Sequence, residues 1–172
     1  GNVSEFMGRH LPFLLAAADK YIKPAIRYQG CAYDSGVDFL LPNRYFTLWS
    51  TSDSRIRSTL ETFASAGEQL EDLAISKEDL RGYILNAYAQ ALPPSGMLNG
   101  RMRFLRRRLF GISTDHINKM IMDIRNSSLK DQRTAAKLIH KILQNSPAAV
   151  VGNEKLIEEN KDLFDEVMKL HS

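Results

Sequence analysis

The sequence predicts an α+β fold in which helices pack on one face of an antiparallel β-sheet. Most of the chain places apolar residues three and four positions apart, the mark of helices with a buried side. The stretch from Cys31 to Trp49 switches to a β-type pattern, and Ala148-Ala149-Val150-Val151 reads as a further short buried strand. Three strands make a narrow sheet for so many helices. The chain is therefore expected to be a partial domain whose first strands lie upstream.

Taken in order, Leu11 to Ile22 carries Leu11, Leu14, Leu15, Ala18 and Ile22 on one broad face and predicts an amphipathic helix. Pro24 lacks the backbone donor of a helix interior, so it either kinks this element or opens a second turn over Ala25 to Arg27. Gly30 then releases the backbone. Cys31, Tyr33, Val37, Phe39 and Leu41 pair with Tyr45 to Trp49 around the turn Pro42-Asn43-Arg44.

Ser50-Thr51-Ser52-Asp53 supplies capping oxygens for a helix with Ile56, Leu60, Phe63 and Leu70, ending near Leu73. Ser76-Lys77-Glu78-Asp79 is a capping box opening a helix that Pro93-Pro94-Ser95-Gly96 stops. The next helix covers about Leu98 to Leu109 and ends at Gly111. Ser113-Thr114-Asp115 starts another, Ser128 to Leu143 repeats the logic, and Asn153 caps a charged C-terminal helical region.

Composition narrows the function classes. A chain of 172 residues with 44% hydrophobic and 25% charged content suits one soluble domain with a sizeable core. Its longest apolar runs stop well short of the roughly 20 residues a spanning helix needs, so no membrane partner is expected. Cys31 is the single cysteine. It rules out an internal disulfide and fits a reducing cytoplasm, or a mitochondrial matrix in a eukaryote.

The segment Arg27-Tyr28-Gln29-Gly30-Cys31-Ala32-Tyr33 joins a helix to a hairpin and is the part of the chain most like a site. A guanidinium donates two parallel hydrogen bonds and keeps its charge, and a phenol donates without carrying charge. Arg27, Gly30 and Tyr33 thus suit the binding of a carbonyl oxygen that becomes negative during attack. The plain alternative pairs Arg27 with a surface carboxylate and packs Tyr33 in the sheet.

Arg27-x-x-Gly30-x-Ala32-Tyr33, the aromatic hairpin, and Ser52-Asp53-Ser54 followed by Thr59-Leu60-Glu61-x-Phe63 resemble the last domain of the pitrilysin/insulinase zinc peptidases, in the presequence-protease-like branch. The similarity continues through the Ser76 helix, Gly96-Met97-Leu98-Asn99-Gly100 and Ala148-Val151-Gly152-Asn153. One departure is Cys31, where the family often has a second glycine. The resemblance implies a zinc-peptidase-like fold and a single C-terminal, non-metal-binding domain, residues 1–172, of a larger multidomain peptidase. It implies a chamber that degrades unstructured peptides, zinc held by the N-terminal half of the same polypeptide, and Arg27 and Tyr33 stabilising the transition state. The alternative is a non-catalytic interaction or structural domain of the same fold.

No metal, base or nucleophile site is expected in this chain. His10, His116, His140 and His171 stand singly, none with a histidine at helical metal-ligand spacing. Gly96 to Gly100 lacks both the nucleophile-elbow pattern and a phosphate-binding lysine. Arg101, Arg103, Arg106, Arg107 and Arg108 crowd one short helix with no acid among them. Leu98, Met102, Leu105 and Leu109 occupy its complementary face, so the arginines read as its solvated side and no nucleic-acid partner is expected. The acidic run from Glu154 to Glu166 reads as a solvated helix. A sheet short of its first strands would leave an unpaired edge through which the fragment could associate with itself.

Overall fold

Helix α1 (Leu11–Ala17) contains no polar side chain, and all seven of its residues are buried. A helix apolar on every side has to be surrounded rather than laid on a surface. Leu11, Phe13 and Leu14 are fully enclosed, and burial of side chains this size contributes about 1.5–3 kcal/mol each. The amphipathic helix expected from Leu11 to Ile22 is thus a central one, because its polar residues Asp19 and Lys20 fall beyond α1.

The computed structural model describes residues 8–40, 45–92 and 97–169, and their side chains except those at 40, 97–100, 103 and 106. The turn Pro42-Asn43-Arg44, the stop at Pro93 to Gly96 and His171 lie outside the described residues. After α1 the chain forms strands β1 (Asp34–Leu40) and β2 (Tyr45–Thr51). Helices α2 (Ile56–Asp72), α3 (Lys77–Ala91), α4 (Met97–Leu109), α5 (Thr114–Arg125), α6 (Gln132–Gln144) and α7 (Glu154–Glu159) follow.

The mixed helix-and-sheet class is as expected, with a narrower sheet. β1 and β2 form a two-stranded antiparallel sheet in which Val37 faces Leu48 and Phe39 faces Phe46. These two pairs lie on one face and pack against the helical core. The third strand expected at Ala148 to Val151 is irregular chain without ladder bonds, and Val151 is exposed. A short apolar run becomes a strand only where another strand accepts it, and β1 and β2 pair only with each other among the described residues.

Around α1 pack α3, α2 and α6, and α5 packs against a turn at Gly8–His10. The α2–α6 contact is close enough to specify glycine. A Cβ on Gly67 would sit 2.4 Å from the His140 backbone nitrogen and 2.6 Å from its Cα. Local stop and start signals behave as their chemistry dictates. Ser76 and Asp79 form the expected capping box, Ser113 accepts from the His116 amide at 3.1 Å, and Asn153 accepts from the Lys155 amide at 2.9 Å. Helix α2 departs from this pattern. It begins at Ile56 behind Arg55, and Asp53 braces the start by accepting from the Arg55 amide at 2.8 Å and the Thr59 hydroxyl at 2.6 Å.

Replacing Gly67 with alanine forces the α2 and α6 backbones apart, since neither neighbouring atom is a flexible side-chain tip. Urea denaturation should register a loss of about 1–3 kcal/mol, the usual penalty of overpacking. A second expectation concerns pH. A hydrogen bond from Lys20, and the bonds within the Ser76 capping box, hold the Asp79 carboxyl down at about 2. A depressed folded-state value adds stability above the ordinary carboxylate range that is lost as pH falls through it. Stability should therefore decline between about pH 4 and about pH 2, and Asp79→Asn should flatten that part of the profile in acid titrations followed by circular dichroism.

Candidate functional site

The backbone continues from α1 without a break as wider, π-helical turns over Ala18–Ile22 and Pro24–Gln29. Pro24 thus opens a second turn, as its missing donor predicts. Three consecutive side chains fasten the first of these turns to the helices beside it. Asp19 accepts from the Tyr83 hydroxyl at 2.7 Å, Lys20 bonds Asp79 at 2.8 Å, and the hydroxyls of Tyr21 and Ser65 meet at 2.8 Å. Burial, and then the bond to Asp19, push the Tyr83 phenol well above its usual range. π-helical turns inside helices are frequent at functional sites.

The second turn carries Arg27 to a sharp stop. The Ala32 amide donates to the Ile26 carbonyl at 3.1 Å, a longer reach than an α-helical stop makes, in keeping with the wider turn. Gly30 keeps right-handed helical angles, φ −86° and ψ −11°, so it is not there for conformational freedom. It is there for space: a Cβ would stand 2.5 Å from the Ile26 carbonyl oxygen. The left-handed residue that turns the chain is Cys31, at φ 62°. Ile22, Ile26 and Ala32 pack with Ala18 and Ala66 in a small core of their own beneath this corner.

Arg27 and Tyr33 emerge on either side of the stop. Tyr33 is 76% exposed, its amide donates to the Thr51 carbonyl at 3.1 Å, and its hydroxyl meets no partner among the described residues. It stands at the mouth of the hairpin rather than packing in the sheet. Arg27 is half-exposed, 5.7 Å over the Tyr28 ring centroid and 3.8 Å from the Asp34 carboxylate, which Lys23 approaches at the same distance. Both ion pairs are long and open to water, so Asp34 steers Arg27 without consuming its donors. The surface-carboxylate alternative is therefore met for Arg27 and not for Tyr33.

Gly30 fills a place with no space for a side chain, Arg27 and Tyr33 present hydrogen-bond donors to solvent, and no nucleophile–base pair accompanies them among the described residues. Cys31 is an exposed free thiol. Among the described residues no three His, Cys, Asp or Glu side chains converge to hold a metal ion. His10 is buried beside α5, which lowers its pKa, and His140 faces Glu68 at 3.6 Å across α2 and α6. A shallow hollow near the C-terminus, lined by Asn153, Glu154, Glu158 and Lys169, is occupied by its own ion pair between Lys169 and Glu154 at 2.5 Å. No helix among the described residues is long and apolar enough to cross a membrane.

The left-handed angle at Cys31 stores strain of roughly 1–2 kcal/mol, against which a glycine would lose about 0.5–1 kcal/mol of unfolded-chain entropy. Cys31→Gly should therefore raise thermal stability slightly and Cys31→Val should lower it. A stabilised valine variant in differential scanning calorimetry would show that the corner is unstrained.

No family model matches the chain. Protein HypA of Clostridium perfringens (strain 13 / Type A) is similar to it, 26% identical over 148 residues. The match takes in 86% of this chain and 15% of the relative, so the chain spans a small part of the length of the protein it matches. Neither comparison names a peptidase, and the insulinase-family expectation is corrected accordingly. The zinc-peptidase-like domain, the peptide-degrading chamber, the unstructured peptide substrate and the N-terminal peptidase half as partner are not retained.

Proposed function

We propose that this chain is a non-catalytic binding module of a longer polypeptide, and that the Arg27–Tyr33 corner receives a carboxylate or carbonyl oxygen carried by a partner. The observation that carries this reading is an exposed guanidinium and an exposed phenol, the phenol unpartnered among the described residues, flanking the same helix-to-hairpin stop. Arg27 supplies a charge-assisted bond, Tyr33 a neutral one, and Gly30 lets the corner close tightly enough to hold both donors in place. Without a base or nucleophile beside them, the donors bind and orient.

The long relative supports a module within a larger chain. Each strand of the two-stranded sheet has an edge without a strand partner among the described residues, and strands from other parts of such a polypeptide would extend β1 or β2 there. The exposed Cys31 thiol suits a reducing, cytoplasmic setting. A metal held elsewhere in the polypeptide is compatible with this corner, whose two donors take no metal themselves.

Acetate and N-acetylglycine are suitable probes, with sodium chloride at equal ionic strength as the control. Their titration into the isotopically labelled chain should shift amide resonances from 26 to 34 in a saturable way. Arg27→Ala should weaken the response about tenfold and Tyr33→Phe about threefold, in the order of charged over neutral hydrogen bonds. Equal shifts in chloride, or shifts that survive Arg27→Ala, would remove the corner from consideration.

A further inference from the structure

Helix α4 is amphipathic, yet its apolar side is turned to solvent. Met102 is 50% exposed, Leu105 52% and Leu109 82%, and no described residue of α4 belongs to either buried core. The expectation that this stripe packs inward is therefore not met. The same helix carries Arg101, Arg107 and Arg108, and none has a carboxylate within ion-pairing distance among the described residues. Its C-terminal end is fixed by Gly111, at φ 65°, and by the Ile112 amide donating to the Arg107 carbonyl at 2.8 Å. The helix is well formed and lacks only a cover for its apolar side.

The stripe identifies the cover. In the sequence Leu98, Met102, Leu105 and Leu109 are spaced four, three and four, which is the heptad seam of paired helices. At about 100° per residue the seam occupies only about 60° of the helix circumference. A helix lying in a lipid surface presents a broader apolar face, and this narrow one matches the groove of another helix. Arg101 and Arg108 are seven residues apart on one flank of the seam, in the positions that choose a partner by charge. Two copies of α4 would set arginine against arginine, so the complementary surface is acidic.

We infer that α4 is a docking surface for a partner protein that presents an amphipathic helix with an apolar seam flanked by glutamate or aspartate. This surface is independent of the Arg27–Tyr33 corner, and the two can be tested separately.

The test uses the 172-residue chain and two fluorescently labelled 21-residue helical peptides with leucine at the seam, one flanked by glutamate and one by lysine. The glutamate peptide should bind and perturb amides between 101 and 112, and the lysine peptide should not. Leu105→Glu with Leu109→Glu should weaken binding by at least about tenfold, or ~1.4 kcal/mol, with unchanged circular dichroism, because both leucines face solvent. Arg101→Glu with Arg108→Glu should transfer the preference to the lysine peptide, and this pair decides the matter if the leucine variant fails to fold. Equal affinity for both peptides would overturn the inference. So would sedimentation with phosphatidylserine vesicles, or retention of a single-stranded oligonucleotide, by a chain that ignores the glutamate peptide.

Discussion

Everything in this structure depends on hiding α1. Its seven side chains include no polar group, so a stable chain has to provide apolar surface on every side of it. Helices α3, α2 and α6 supply that surface, and the hairpin covers part of what remains with Val37, Phe39, Phe46 and Leu48. The requirement also explains Gly67. Helices that surround a thin, alanine-rich core must approach one another closely, and at the α2–α6 contact only a glycine leaves room.

The same helix delivers the candidate site. Because α1 is immobilised on all sides, the π-helical turns that extend it inherit a fixed direction, and the contacts of Asp19, Lys20 and Tyr21 hold that direction past the end of the core. Arg27 is thus placed by a continuous backbone, and Tyr33 by the hairpin that the Ile26–Ala32 bond aligns with it. A wide turn, a glycine with no space for a side chain and a cysteine at a left-handed angle are each unfavourable locally. Their coincidence over a few residues motivates the proposal that Arg27 and Tyr33 act together.

Local chemistry was legible in the sequence, and pairing was not. The caps at Ser76, Ser113 and Asn153 and the stop at Gly111 depend on residues within one turn of each other, so their spacing suffices to place them. The strand expected at Ala148 to Val151 depends on a distant neighbour, which a run of apolar residues does not specify. At the corner, Arg27, Gly30 and Tyr33 were readable as a group, but the left-handed residue proved to be Cys31, because the stop is set by the width of the preceding turn. The α4 stripe has the periodicity of a buried face, and periodicity alone does not say whether the covering surface belongs to the same chain. The peptidase resemblance rested on short motifs of this local kind, which carry geometry more securely than function.

The distribution of charge connects the two surfaces. The acidic C-terminal region is largely self-compensated: Glu154 pairs with Lys169, Glu158 with Lys161, and Asp162 reaches back to Arg57 on α2 at 2.7 Å. Helix α4 has no such compensation among its described arginines, and Arg27 has only the distant Asp34. Uncompensated cations separated by more than a Debye length, about 8–10 Å near physiological salt, act independently. A partner bearing both an acidic helix and a carboxylate could engage each surface in turn, and the second contact would then form at the effective concentration set by the first.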